Sequence, residues 1–483
     1  MQMSSKCPRE LWLAIFTHYL EAGGDRDVLR QVSRQWRALV DEAPEFWENV
    51  TLCKPAHFED AQKFADCLRR SHERPMDIEL KASHTGPKKA LAVAKTLRKH
   101  TERLRTLYVE HTDPLVLSKM VRRIGWNRKY LRARPTPRLQ ALGISCKSEA
   151  PTVSSVDEAG RTFVHNPSVF ISSLSLRKLS IPLDFELAPG ASFWSRLTSL
   201  EIAEDYIRGN VNNDLSLEFV LDLLRLSPAL EEFTFRCKRL PWLNLPQCPK
   251  DVQLERLQCM DIAIPHIGLS LLERIDAPHL VSLTLRGHRG DSSSPLWPPS
   301  SLQALESIVD DMCRSPLSAA LKFPELRDLQ LVDIKELRAP PLFFCGLTTV
   351  RSLQLERCDF SGYLEEDDIG LGCPEEAGLE TLEFRACHSF ILANLQKLYS
   401  AFRERGARLP RPHIESCPQV TQLEADLLWE SLENPELSTG ALPTPLPPHF
   451  RGPSLLGPAF EFVSPKESRT MQRWSGDSSD EGD

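Results

Sequence analysis

Cysteine and histidine are the side chains through which this chain would do nucleophilic or metal chemistry, and their placement argues against both. Thirteen cysteines and thirteen histidines are scattered along 483 residues. No two cysteines have the Cys-x-x-Cys spacing that gathers zinc ligands, and no His-Glu-x-x-His run sets two imidazoles on one helix face. His72-Glu73 and His388-Ser389 are adjacent pairs that belong to no catalytic or metal-binding motif in the sequence. The glycine-rich loops that cradle phosphates with backbone N–H groups are absent, as is the Gly-x-Ser-x-Gly elbow that presents a nucleophilic serine. The acidic run Glu365–Asp368 could offer carboxylates to a cation but reads as a solvated loop. Between Val121 and Arg138, seven Arg or Lys residues surround Trp126 and Tyr130, which is the composition of a nucleic-acid patch. A net charge of −7 supplies no global basic field, so this stretch reads as an amphipathic insertion helix with an exposed basic side. Sequence therefore predicts no enzyme, no cofactor, no metal, and neither nucleic acid nor membrane as partner.

With chemistry set aside, the elements that build surfaces become the subject. Hydrophobic residues at 41% and charged residues at 26% describe a soluble globular chain. No run approaches the ~20 apolar residues that cross a bilayer, and the start "MQMSSKCPRELW" lacks the basic-then-apolar order of a signal peptide. An odd, irregular set of cysteines fits the reducing cytoplasm or nucleus. A chain of this length exceeds one ordinary core unless it is a stack of repeats.

A repeat is visible. Leucine-x-x-leucine-x-leucine, with other apolar residues allowed, recurs from Leu104, Leu139, Leu176, Leu197, Leu230, Leu254, Leu280, Leu326, Val350 and Leu379, with a degenerate copy from Leu409. The starts lie 21 to 46 residues apart, so several units carry insertions beyond the ~20–29 residues of a tight leucine-rich repeat. Alternation at the end of each copy predicts a strand with two apolar side chains inward and the leading leucine behind them. Helix-period segments lie between. One has Leu217, Val220 and Leu224 on a face, another Leu302, Leu305, Val309 and Met312, a third Leu395, Tyr399 and Phe402. Such units bury their apolar faces only against the next unit. Cys358 and Cys387 occupy the ninth position of their copies and are expected to be buried, hydrogen-bonding residues rather than nucleophiles. A last helix is predicted near "LEADLLWESL", with Leu423, Leu427 and Leu428 inward. Beyond it, six prolines in the eighteen residues from Ala441 and the acidic end "RWSGDSSDEGD" predict disorder. Ser478, three residues before Glu481, has the spacing of an acid-directed phosphorylation site, in an end that reads as solvated.

Ahead of the repeats, Pro8 starts a helix with Leu11, Ile15 and Tyr19 on one face. Gly23-Gly24 stops that helix, Asp25 or Asp27 caps the next, and Val28, Leu29 and Val32 form a second apolar set. Trp36, Leu39 and Val40 form a third, before Pro44, Phe46 and Trp47. So much apolar surface in under fifty residues predicts contact with a partner or with the following domain.

These residues resemble the F-box family. The pattern of that family is met by Pro8, Glu10, Leu11, Ile15, Phe16 and Leu20, then Asp27, Leu29, Val32, Ser33, Arg34, Trp36, Arg37 and Leu39, then Pro44, Phe46 and Trp47. Cys7 stands where leucine is usual, and Val28 follows the aspartate. The ensuing "FADCLRRSHERPMDIEL" is similar to fungal, basidiomycete-type F-box proteins, in which a helix and a proline-led strand enter leucine-rich repeats. The resemblance implies an α/β chain: a small three-helix F-box at 4–52, an irregular leucine-rich-repeat solenoid at 60–420 with strands concave and helices convex, and a mostly disordered tail at 421–483. It further implies a non-catalytic substrate-recognition subunit of an SCF-type cullin-RING ubiquitin ligase. The F-box would dock a Skp-type adaptor, and through it a cullin scaffold, while the repeats hold an unknown target protein. Pro8, Leu11, Ile15, Leu20, Leu29, Val32 and Trp36 are the implied adaptor-binding residues. A leucine-rich interaction scaffold acting outside any ligase is the alternative.

Overall fold

A Leu-x-x-Leu-x-Leu copy can bury its last two apolar side chains only if another strand lies on each side of it, and the chain supplies those neighbours in sequence order. The computed structural model describes residues 7–53, 58–82, 85–127, 132–133, 136–146, 173–182, 192–203, 217–236, 252–263, 271–272, 274–287, 323–333, 349–358, 378–404 and 410–433. Within them lies a thirteen-stranded sheet. Its strands are β1 Asn49–Cys53, β2 Met76–Lys81, β3 Leu104–Glu110 and β4 Ala141–Ser145. Next come β5 Lys178–Pro182, β6 Ser199–Ala203, β7 Glu232–Arg236, β8 Cys259–Ala263 and β9 Ser282–Arg286. The last are β10 Asp328–Val332, β11 Ser352–Glu356, β12 Thr381–Arg385 and β13 Pro412–Glu415. Each pairs in parallel with its neighbours in chain order, β1 and β13 forming the two edges. The chain is thus α/β with one large parallel sheet. Met1–Trp429 form one compact unit and Glu430–Asp483 a second.

Helices α1 Arg9–Glu21, α2 Arg26–Val32 and α3 Arg34–Glu42 precede the sheet. Helices α4 Phe58–Arg70, α5 Pro87–Leu97, α6 Pro114–Gly125, α7 Leu217–Arg225 and α8 Leu392–Glu404 lie between strands, and α9 Gln422–Glu433 follows the last one. Among the described residues no helix is long and apolar enough to cross a membrane.

The inward rows are continuous. Val50, Ile78, Leu107, Leu142, Leu179 and Leu200 stand opposite one another on successive strands, and the row runs on to Leu382. All are buried, each side chain stabilising the fold by roughly 1.5–3 kcal/mol. The leading leucine sits in a repeated turn, where its N–H donates to the carbonyl three residues earlier: Leu139 to Thr136, Leu176 to Ser173, Leu230 to Ser227, Leu280 to Ala277.

That turn corrects one register. The copy expected from Leu254 instead begins at Leu257, whose N–H donates to the Leu254 carbonyl at 3.1 Å. Met260 and Ile262 then point inward, Met260 opposite Phe233 and Leu283, while Cys259 is exposed. The first strand also begins earlier than the boundary at residue 52 suggests, since Asn49–Cys53 already belongs to the sheet.

Repeat exits share a second device. Asp333, Arg357, Ala386 and Ser416, each at the eighth position, have φ of +54, +52, +51 and +56°. The first three donate their N–H groups to Glu356, Arg385 and Glu415 carbonyls at 2.8–2.9 Å. The ninth-position cysteines follow. Cys358 Sγ donates to the Leu331 carbonyl at 3.4 Å, Cys387 Sγ to Leu355 at 3.4 Å, and Cys417 Sγ to Phe384 at 3.6 Å. Cys417 extends the expected pair into a ladder of three. Contact with Cys417 and burial push the Cys387 thiol far up from its ordinary pKa, so it is no nucleophile at neutral pH.

The final strand is sealed by a side chain. Gln422 Oε1 accepts from Ile414 N at 2.6 Å and Gln422 Nε2 donates to Pro412 O at 3.0 Å, in the way a fourteenth strand's peptide group would. Arg411 and Gln422 converge on Asp426 at 2.8 and 2.7 Å. In α9 the buried residues are Ala425 and Leu428; Leu423 and Leu427, expected inward, are 68% and 45% exposed. Gln422 fixes the helix's rotation, and the side chains at its other face turn outward.

Other expectations divide. Val220, Leu224, Leu395 and Tyr399 are buried as their spacing predicts. The basic stretch after Val121 is helical only to Gly125, with Arg122 and Arg123 exposed, before a short antiparallel pairing of Trp126–Asn127 with Arg132–Ala133. The expected helix at Leu302–Met312, the acidic run Glu365–Asp368, Ser478 and the proline-rich tail lie outside the described residues.

Candidate partner-docking face

Helix α1 is apolar along two adjacent stripes, and only one can face the core. Trp12, Phe16 and Leu20 form one, Leu11, Ile15 and Tyr19 the other. Phe16 is fully buried, its ring 4.7 Å from Trp36 and 6.3 Å from Phe46, and Trp12 packs 5.1 Å from Trp36. The second stripe turns outward: Leu11 is 55% exposed, Ile15 52%. Pro8 is exposed just ahead of the helix, with its carbonyl accepting from Leu11 N at 3.2 Å. At the other end Gly23 N donates to Leu20 O and Gly24 N to Tyr19 O, at 3.0 and 2.9 Å, a closing pair that needs a left-handed residue. Gly23 supplies it at φ +86°. At Gly24 a Cβ would fall 2.2 Å from the Tyr19 ring, which would have to swing aside.

Helix α2 repeats the division on a smaller scale. Asp25 caps it, accepting from Asp27 N at 2.8 Å. Leu29 is buried, whereas Val28 and Val32 are 47% and 56% exposed. Ser33 Oγ caps α3 by accepting from Trp36 N at 3.0 Å, which sets the indole against α1. Of the seven residues predicted from sequence, Pro8, Leu11, Ile15 and Val32 are exposed, Leu20 and Trp36 half-buried, and Leu29 buried. Val28 was not among them, although it falls four residues before Val32 on the same helix face.

A cationic joint ties α2 and α3 to α4. Trp47 donates Nε1–H to Val40 O at 2.8 Å, and the guanidinium groups of Arg26, Arg70 and Arg30 lie 4.0, 4.8 and 5.6 Å from its ring. Arg70 ends α4, between β1 and β2. Asp41 takes hydrogen bonds from Arg30 Nε at 2.9 Å and from Arg70. Burial works against the Asp41 carboxylate, but the bonds from Arg70 and Arg30 outweigh it and hold its pKa below the ordinary value. Arg26 also donates to the Phe46 carbonyl at 2.9 Å.

A second surface lies along the outward side of the strands, where polar side chains alternate with the buried rows. Asp261 bridges Arg236 at 3.0 Å and Arg286 at 2.7 Å, Ser180 donates to Glu201 at 2.8 Å, and Thr284 to Gln330 at 3.3 Å.

No family model matches the chain, and no curated protein does. Among solved structures, a crystal structure of a Bacteroides fragilis protein determined as a structural-genomics target is similar over 63% of this chain and 73% of its own. The identity is 14% and the TM-score 0.28.

Proposed function

We propose that the chain is the substrate-recognition subunit of an SCF-type cullin-RING ubiquitin ligase, working in the cytoplasm or nucleus. In this reading residues 4–52 are an F-box that docks a Skp-type adaptor, and the leucine-rich repeats hold the target. The observation that carries it is the outward stripe of Leu11 and Ile15 on α1, with Val28 and Val32 on α2, in the segment whose residues resemble the F-box. Four large aliphatic side chains left exposed on these two helices are candidates for contact with a partner. Phe16, Leu29 and Val40, all buried, hold the helices without help from those four. Pro8, Leu20 and Trp36 would border the contact, and Leu29 would support it from beneath.

No covalent bond is made or broken by such a subunit. It raises the effective concentration of a target beside the ubiquitin donor.

A pull-down of the purified chain with a recombinant Skp-type adaptor tests the reading. Replacing Leu11 and Ile15 together by aspartate is expected to abolish binding; capture equal to that of the unmodified chain overturns it. Adaptor capture without cullin recruitment would favour the interaction scaffold instead.

A further inference from the structure

The outward side of β12 and β13 gathers one imidazole and two carboxylates. Glu383 and His413 stand opposite each other in the parallel register, and Glu415 follows on the same side of β13. One ligand atom of each lies within 4.8 Å of the other two, and His413 Nε2 is 3.7 Å from Glu383 Oε1. Tetrahedral ligands about 2.1 Å from an ion stand about 3.4 Å apart. The first pair is therefore close to coordinating separation, and rotation of the exposed Glu415 side chain closes the third position.

We propose that Glu383, His413 and Glu415 bind one divalent transition-metal ion at the C-terminal end of the strand face. One nitrogen and two carboxylate oxygens suit Co²⁺, Ni²⁺ or Zn²⁺, whereas Ca²⁺ and Mg²⁺ favour oxygen alone. The site is exposed, so coordination positions remain open toward the solvent.

A cation of the protein already uses part of this space. Arg385 Nη2 lies 2.7 Å from Glu383 Oε1 and its Nε 3.2 Å from Glu415 Oε2. The guanidinium has another acceptor on the neighbouring strand: the Gln354 carbonyl oxygen, turned toward it, accepts from Nη1 at 3.2 Å and Nε at 3.3 Å. Exposed ion pairs shift an equilibrium about fivefold or less, a small handicap against three-point coordination. The metal takes the guanidinium's place, and Arg385 rests on Gln354.

The test is a Co²⁺ titration of the full, reduced chain followed by visible absorption and equilibrium dialysis. One equivalent is expected to bind with weak bands and no intense thiolate charge-transfer absorption. His413→Ala should weaken this binding about tenfold or more, while Arg385→Gln should tighten it several-fold. Both side chains point outward, so neither variant disturbs the core. Three results overturn the site: His413→Ala binding like the unmodified chain, a thiolate spectrum assigning the ion to cysteines, or Arg385→Gln binding no tighter. The proposal stands apart from the ubiquitin-ligase reading, since adaptor capture does not enter the measurement.

Discussion

The N-terminal helices and the strands behind them are both rich in large apolar residues, and they dispose of them in opposite ways. Along the sheet each inward side chain meets its counterpart on both neighbours, so Leu107, Leu142 and Leu179 are all under 6% exposed. In α1 and α2 the core takes Phe16 and Leu29 and leaves Leu11, Ile15, Val28 and Val32 outside. The difference lies in neighbours rather than composition. A repeat unit has one before it and one after it, while α1 and α2 turn one apolar stripe away from the core.

The contrast can be broken by substitution, beginning in the sheet. Phe384 is buried and its ring stacks 4.1 Å from Phe390, so Phe384→Ala should cost about 3–5 kcal/mol in chemical denaturation. A much smaller loss would mean that the strands are as loosely committed as the outer helix faces. Next is Gln422→Ala, which removes two hydrogen bonds from the edge strand and should cost about 1–3 kcal/mol. It also bares a strand edge, so concentration-dependent self-association should appear by light scattering; a monomer of unchanged stability would refute the sealing role.

A third measurement concerns the joint between the regions. Asp41 has a lowered pKa in the folded chain, so its contribution is complete above the unfolded aspartate value near 3.9 and is lost as pH falls through the lower folded value. Asp41→Asn should therefore reduce stability at neutral pH by about 1 kcal/mol or less, with the difference vanishing at strongly acid pH. A difference constant down to pH 2 would assign the effect to something other than charge. The smallest effect belongs to the outward stripe. Leu11→Asp with Ile15→Asp should alter the unfolding free energy by about 0.5 kcal/mol or less. A large destabilisation would show that these residues serve the fold and would sink the partner-docking interpretation.

Sequence revealed the sheet because two inward residues per strand, repeated many times, can hardly arise otherwise. It misplaced one strand because Leu254, Leu257 and Met260 are spaced by three, so two frames satisfy the same template. Only pairing of Met260 with Phe233 and Leu283 chooses between them. In α9 a leucine pattern pointed inward, but rotation was decided by Gln422, a polar side chain engaged with the strand edge. At the candidate docking face the helical spacing grouped Leu11 with Ile15 and Tyr19. It could not say whether that stripe or Trp12 with Phe16 faced the core, since both are apolar and four residues apart. The Glu383–His413 juxtaposition was invisible for a simpler reason: the two residues are thirty positions apart and meet only through strand register.

The left-handed residues at the repeat exits carry a further consequence. Asp333, Arg357, Ala386 and Ser416 leave their strands with nearly the same φ, yet the connections that follow the first three differ in length.

 The intervals that matter are those to the start of the next strand: from Asp333 to Ser352, from Arg357 to Thr381 and from Ala386 to Pro412, with 18, 23 and 25 residues between. These unequal connections all depart in one direction and all return to one register. Length and sequence of a connection are therefore decoupled from the strands it joins, much as cassettes are from the deck that plays them. Exchanging one connection for another between a fixed exit and a fixed re-entry should leave the sheet's pairing intact, so the connections can vary without renegotiating the core.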